Sequence, residues 1–169
     1  LVHSISEQML ADVPLGAFLS GGVDSSTVVA LMQLQSTKPI KTFAIGFNEP
    51  GYNEAEFAKE VARHLGTEHT ELYVSAEDAL SVITKLPKVY CEPFADSSQI
   101  PTFLVMQMAK QHVTVALSGD AGDELFGGYN TYQMAAKVWK SVSRLPHPLR
   151  KIATQVLGDA IFANQILLG

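Results

Sequence analysis

One cysteine, three arginines and one tryptophan are all that 169 residues contain of those types. A single cysteine excludes an internal disulfide framework and fits a reducing cytoplasm. No apolar run approaches the roughly eighteen or more residues of a membrane span, and no secretory signal pattern opens the chain. Positive charge is scarce as well. The net charge is −5 and the basic residues are dispersed rather than striped, which argues against a surface that tracks nucleic-acid phosphates. Internal repeats and low-complexity tracts are also missing. What remains is 47% apolar and 17% charged residues, in a length that suits one ordinary domain with a sizeable core. The chain opens at Leu1 without an initiator Met and ends at Leu168-Gly169 after a helical pattern, so a piece of a larger protein is expected.

Short apolar strands alternate with amphipathic helices, the pattern of an α/β fold with an open, mostly parallel twisted sheet and helices on both faces. Strands are expected at 15–19, 41–46, 68–74 and 113–118, the last read as buried from its β-branched content. A helix over 25–35 follows the first strand. Asn53 reads as the N-cap of a helix whose Phe57, Ala58, Val61, Ala62 and Leu65 form one apolar stripe, ended by Gly66. Ser75-Ala-Glu-Asp78 has the form of a capping box with Asp at its last position. "EPFADSSQIP" (92–101) reads as a polar loop, with Pro101 in the first turn of a helix running to about 111. A glycine-rich loop at 119–129 leads into a helix to about 142, and "LPHPLRK" reads as a linker into another helix.

Two loops, 20–26 and 118–129, each follow an expected strand, where open parallel sheets bind their ligands. In "SGGVDSS", Gly21 and Gly22 let the backbone turn tightly and present its N–H groups. The next helix adds its positive dipole end, and Ser20, Ser25 and Ser26 add hydroxyls. That makes an anion site; the structural alternative is a tight turn with Ser25 as a cap. GxxxxGK[ST] is absent, so this is not the loop that holds β- and γ-phosphates through a lysine. Asp24 is the informative residue. Beside phosphate an unpaired carboxylate repels, whereas Mg²⁺ joins one or two carboxylates to phosphate oxygens. The second carboxylate would come from Asp120, Asp123 or Glu124, unless these form only a solvated acidic turn.

"ADVPLGAFLSGGVDSS" (11–26), "TFAIGF" (42–47), "HLGTEH" (64–69), "EPFADSSQIPT" (92–102) and "LSGDAGDELFGGY" (117–129) together resemble the synthetase domain of glutamine-dependent asparagine synthetases. These belong to the pyrophosphate-loop, adenine nucleotide alpha hydrolase-like ATP pyrophosphatases. The resemblance covers about residues 8–145. It implies an ATP-pyrophosphatase domain over 1–145 and the start of a truncated C-terminal part over 146–169. It implies that Ser20, Gly21, Gly22 and Ser25 hold the pyrophosphate end of ATP, with Leu19 and Ser26 among the nucleotide-binding positions. Asp24 and Asp123 would share Mg²⁺, and Phe18, Ile45, Ser118 and Gly119 would line the adenosine pocket, largely through backbone atoms. Asp120 falls where the family often has a glutamate proposed to deprotonate ammonia, and it is one methylene shorter. The implied reaction joins the aspartate β-carboxylate to the α-phosphorus, releases pyrophosphate, and lets ammonia from glutamine displace AMP. Related acceptors, as in β-lactam-type cyclisation or amidation of a sugar acid, and a nucleotide-binding module without turnover are the alternatives.

The family's glutaminase domain, with its N-terminal catalytic cysteine, is expected before this segment in the parent protein; nothing here resembles it. Cys91 reads as a small packed or loop residue. The family's late lysine has no match, and none of Arg63, Arg144 and Arg150 falls in a ligand loop, so no clamp for the aspartate α-carboxylate is located. His64 and His69 are not at a helical metal spacing and read as surface or structural residues, and His3, His112 and His147 are isolated. Trp139 with Val138, Val142 and Leu145 reads as a core or interdomain face. Tyr129 and Tyr132 either rim the pocket or pack.

Overall fold

The structure, a computed structural model, describes residues 1–47, 54–92, 96–144 and 146. The chain divides into two compact units, Leu1–Ala121 and Gly122–Gly169.

In the first unit four parallel strands, β1 (Leu15–Phe18), β2 (Lys41–Phe47), β3 (Glu68–Val74) and β4 (Val115–Leu117), form one sheet in the order β3-β2-β1-β4. Helices α1 (Val2–Gln8), α2 (Val23–Gln35), α3 (Ala55–Leu65), α4 (Ala76–Ile83), α5 (Leu86–Val89) and α6 (Gln99–Ala109) surround and connect the strands. Strand order runs outward from β1 through β2 to β3, and then the chain returns to place β4 on the other side of β1. The β1–β4 junction is therefore the topological switch point of the sheet.

Period-two alternation sorts the strand residues between two cores. Ala17, Leu19 and Ala44 pack with Val29 and Met32 of α2 and with Ala58 and Ala62 of α3. Phe18 and Phe43 face the opposite way, onto Met108, Ala109 and Val113. Farther along that face Ile45 and Phe47 meet Val74, Val82 of α4 and Leu104 of α6. Helices thus cover both faces, as expected. Phe43 is 1% exposed, and Gly16 makes room for it: a Cβ there would come within 2.8 Å of its ring. Truncating a ring so enclosed costs about 3–5 kcal/mol.

Four expectations need correction. β4 is not buried: Val115 is exposed and Ala116 and Leu117 are half-buried, because β-branched content marks a strand but an edge position leaves it partly uncovered. Phe57 is 64% exposed rather than part of the buried stripe. α3 buries Ala55, Ala58 and Ala62, and Phe57 lies about 200° round from Ala55 at 3.6 residues per turn. α2 begins at Val23, two residues earlier than expected, with Gly22 as its N-cap. The 92–101 stretch likewise gives its last three residues to α6; residues 93–95 lie outside the described residues.

Gly66 does end α3, in the left-handed region at φ 71°, donating its N–H to Ala62 O. The Ser75–Asp78 capping box is complete in both directions. The second unit holds α7 (Gly122–Phe126), unforeseen within the glycine-rich loop, and α8 (Asn130–Val142). Trp139 is 63% exposed and Val138 is exposed too, which excludes the core alternative among the described residues. Asn53 as an N-cap, Leu145, His147, Arg150 and the 147–169 helix lie outside the described residues.

Candidate functional site

The turn after β1 is tied by its own hydroxyls. Ser20 N–H donates to Ser25 Oγ at 3.2 Å, the two hydroxyl oxygens are 2.9 Å apart, and Gly22 N–H donates to Ser20 Oγ at 3.3 Å. Ser25 Oγ also donates to Gly22 O at 3.3 Å. Buried Ser25 is therefore the internal brace of the loop, while Ser20 is exposed at its crest. Gly21 takes φ +80°, and a Cβ on it would meet Phe57 Cβ at 2.7 Å and Ala58 N at 2.8 Å. The first turn of α3 thus rests on this loop, a neighbour that the sequence reading missed. Two adjacent glycines were the available sign that something approaches closely.

Asp24 sits half-buried in the first turn of α2 rather than in the loop proper. The helix dipole alone favours a carboxylate there by about 0.3–1 kcal/mol, so Asp24 has a structural reason beside any ligand. Ser26 Oγ is buried without a hydrogen-bond partner, and Ser26 lines a groove between α2 and α3 together with Val23, Glu60 and His64. Leu19 is 1% exposed in the core, and its N–H is spent on Phe43 O at 2.9 Å. Only its carbonyl is left for a ligand. Phe18 and Ile45 turn their side chains into the sheet–α6 packing, at the carboxyl ends of β1 and β2. Both retain their backbone atoms at that edge.

The turn after β4 meets the start of α2, directly behind the turn after β1. A Cβ on Gly119 would lie 2.7 Å from Ser25 N and 2.9 Å from Asp24 C. Backbone meets backbone here, so no larger residue fits without separating the loops. Ser118 Oγ donates to Asp120 Oδ2 at 3.0 Å, which orients that exposed carboxylate. Ala121 follows at φ 69°, an uncommon conformation for a residue with a side chain.

In the second unit Asp123 and Glu124 open α7. Gly128 N–H donates to Asp123 O at 3.0 Å, closing the turn after α7. Tyr129 donates to Glu124 Oε1 at 2.7 Å, and this bond pushes its phenol up to about 12. Tyr129 also packs edge-on against Tyr132, at 5.7 Å between centroids. Glu124 is thereby engaged. Neither Asp24 nor Asp123 has a hydrogen-bond or ion-pair partner for its carboxylate among the described residues. Unengaged acceptor-only carboxylates are the donor chemistry that Mg²⁺ accepts, so each of these two side chains, taken by itself, suits the ion. No group of three or more His, Cys, Asp or Glu is placed to hold a metal among the described residues, so substrate oxygens would have to complete any shell.

His64 is exposed, and His69 is structural. His69 Nδ1 lies 2.9 Å from Thr42 Oγ1, which is itself 2.9 Å from Thr67 Oγ1. Its buried Nε2 makes no hydrogen bond and stands 3.7 Å from Glu71 Oε1. Burial pushes the imidazole below its ordinary value, against the opposing pull of Glu71.

A model of the asparagine synthase family matches residues 1–167. The chain belongs to the asparagine synthase family. Glutamine-hydrolysing asparagine synthetase 1 of Bacillus subtilis is 41% identical over 156 residues, which are 92% of this chain and 24% of that protein. Asparagine synthetase B of Escherichia coli is 31% identical over 80% of this chain and 27% of its own length. The chain spans about a quarter of the length of these curated relatives. Among solved structures it resembles an NH3-dependent NAD synthetase from Campylobacter jejuni, with a TM-score of 0.52 and 17% identity over 76% of this chain and 57% of that one. It resembles an NMN synthetase from Francisella tularensis at the same TM-score, with 15% identity over 76% and 55%. The fold of this asparagine synthase family member is thus the open parallel α/β type of the adenine nucleotide alpha hydrolase-like proteins. No described helix is long and apolar enough to cross a membrane.

Proposed function

We propose that this chain is the ATP-binding part of a carbon–nitrogen ligase that makes asparagine from aspartate, ATP and ammonia released from glutamine by a glutaminase domain. The observation that carries the reading is the contact of Gly119 with the Asp24–Ser25 peptide. It joins the two ligand-type loops at the sheet's switch point. Family membership and the length of the relatives support the rest.

On this reading the backbone N–H of Gly21, Ser20 Oγ and the start of α2 cradle the pyrophosphate end of ATP, and Gly22 shapes the turn through its bond to Ser20 Oγ. Ser25 holds the cradle's shape, and Ser26 lies beside it. The backbones of Phe18, Leu19, Ile45, Ser118 and Gly119 border adenosine. Asp24 and Asp123 are each a carboxylate that would ligate Mg²⁺, and the ion would supply charge to offset that on the departing pyrophosphate. An aspartate carboxylate oxygen bonds to the α-phosphorus as the bond to pyrophosphate breaks. Ammonia then attacks the acyl carbon, Asp120 takes its proton, and AMP leaves carrying that carboxylate oxygen. Loop amides aimed at the developing negative charge would lower the first barrier.

The test uses the intact protein with ATP, Mg²⁺, ammonia and aspartate labelled with ¹⁸O in its β-carboxylate. One labelled oxygen is expected in AMP, together with stoichiometric asparagine and pyrophosphate. Label in orthophosphate, with ADP as the nucleotide product, would reject adenylation.

A further inference from the structure

We propose that Gly128 is a positioning residue for the Asp123 carboxylate, its missing side chain leaving the space in which that carboxylate stands. The inference rests on the reading of Asp123 as an Mg²⁺ ligand. A Cβ built on Gly128 would overlap Asp123 Oδ1, with Cγ at 3.0 Å and Cα at 3.3 Å. The adjoining glycine has a different reason for being there: Gly127 takes φ +69°, with only Tyr132 near its Cβ position, at 3.9 Å. Gly128 is not among the residues of positive φ, so the backbone itself would accept alanine. The sharpest overlap is with the far end of a side chain and is relieved by turning the carboxylate away, while the Asp123 Cα at 3.3 Å has only a few tenths of an ångström to give. The turn meanwhile stays closed by Gly128 N–H to Asp123 O and by Tyr129 to Glu124. Both glycines of the pair are thus accounted for, one by conformation and one by the space above it.

Gly128→Ala should therefore leave the fold intact and move one carboxylate. ATP is titrated calorimetrically into the intact protein with and without Mg²⁺, for wild type, Gly128→Ala, Asp123→Asn and the double variant. Urea unfolding of each is measured in parallel. Wild type should bind ATP more tightly with Mg²⁺, and Gly128→Ala should weaken that metal-dependent part by about 10–100-fold, as displacing a ligand's support does. Its metal-free ATP affinity and unfolding midpoint should stay as in wild type, and the double variant should be no worse than Asp123→Asn. If wild type shows no Mg²⁺ dependence, the metal reading fails and takes this proposal with it. If Asp123→Asn loses the dependence and Gly128→Ala keeps it, this proposal alone fails. A lowered unfolding midpoint for Gly128→Ala, or additive losses in the double variant, would place the glycine's role in the turn and overturn it as well.

Discussion

Glycines that look alike in the sequence are held for different physical reasons, and substitution separates them. Gly66 has nothing within 4 Å of its Cβ position and is fixed only by its φ of +71°. Gly66→Ala should therefore cost about 1–2 kcal/mol from the left-handed conformation alone, leaving nucleotide affinity unchanged. Gly119 meets backbone at 2.7 Å and 2.9 Å, where nothing flexible can give way. Gly119→Ala should cost about 1–3 kcal/mol as overpacking and should also weaken ATP binding, because it pushes the two loops apart. Urea unfolding with ATP titration distinguishes them; equal ATP affinity in the two variants would count against the switch-point site. His69 makes a prediction in pH. Its folded-state value lies below the ordinary 6.5, so near pH 6 the unfolded chain binds more protons than the folded one. The associated stability is fully present above about pH 6.5 and is lost as pH falls through the folded value. The groups facing it are Thr42, Thr67, Glu71 and Lys59, with Lys59 Nζ 3.3 Å from Glu71 Oε1. His69→Asn should flatten this acid limb between pH 7 and 5 in urea midpoints; an unchanged slope would exclude His69 as its source.

Helix ends with their own capping chemistry were legible because that chemistry is local, whereas the starts of α2 and α6 were not. The Ser75–Asp78 box formed as its spacing implied, with Ser75 N–H donating to Asp78 Oδ2 at 3.0 Å and Asp78 N–H to Ser75 Oγ at 3.2 Å. Ser75→Ala should cost about 1 kcal/mol in thermal or urea unfolding at pH 7. The Ser75 hydroxyl, donating to Asp78 Oδ2 at 2.6 Å, and then the Ser75 N–H hold the Asp78 carboxyl below its ordinary value. Its share of the cap is present above the ordinary carboxylate range and lost as pH falls through the depressed value. The stability gap between wild type and Ser75→Ala should accordingly narrow in acid. Long-range packing was less legible. β-branched residues announced β4 as a strand but could not say that it lies at an edge, since edge position depends on strand order and not on local pattern. Phe57 fitted a helical stripe by spacing, yet the alanines beside it bring α3 close to the sheet and leave the ring outside. The site divides in the same way. Gly21, Gly22 and Asp24 stood out by residue type, whereas the α3 turn on Gly21 is a product of tertiary structure and the space above Gly128 follows from how the turn after α7 closes. α7 was hidden because five helical residues inside a glycine-rich stretch carry too little periodicity to read.

The whole molecule sets what these 169 residues can do alone. They bring together the turn after β1, the Gly119 contact and the carboxyl ends of β1 and β2, all within Leu1–Ala121. They span about a quarter of the relatives' length, and the late lysine that the family resemblance implies has no counterpart among them. None of the three arginines falls in a ligand loop that could grip the α-carboxylate of aspartate. Adenylation requires that carboxylate to be held in line with the α-phosphorus, and positioning of this kind supplies about 7–11 kcal/mol of barrier reduction. A single charge-stabilising donor adds about 2.7–4 kcal/mol. Either loss slows turnover at least a hundredfold at about 1.4 kcal/mol per decade, whereas on the proposed reading nucleotide binding rests on groups within these residues. Residues 1–169 by themselves should therefore bind ATP and release almost no aspartate-dependent pyrophosphate, even with free ammonia supplied. The comparison is pyrophosphate release by this chain and by the intact protein at equal ATP and Mg²⁺. Similar rates would show that these residues already hold the aspartate, and would send the search for its clamp back to the loops described above.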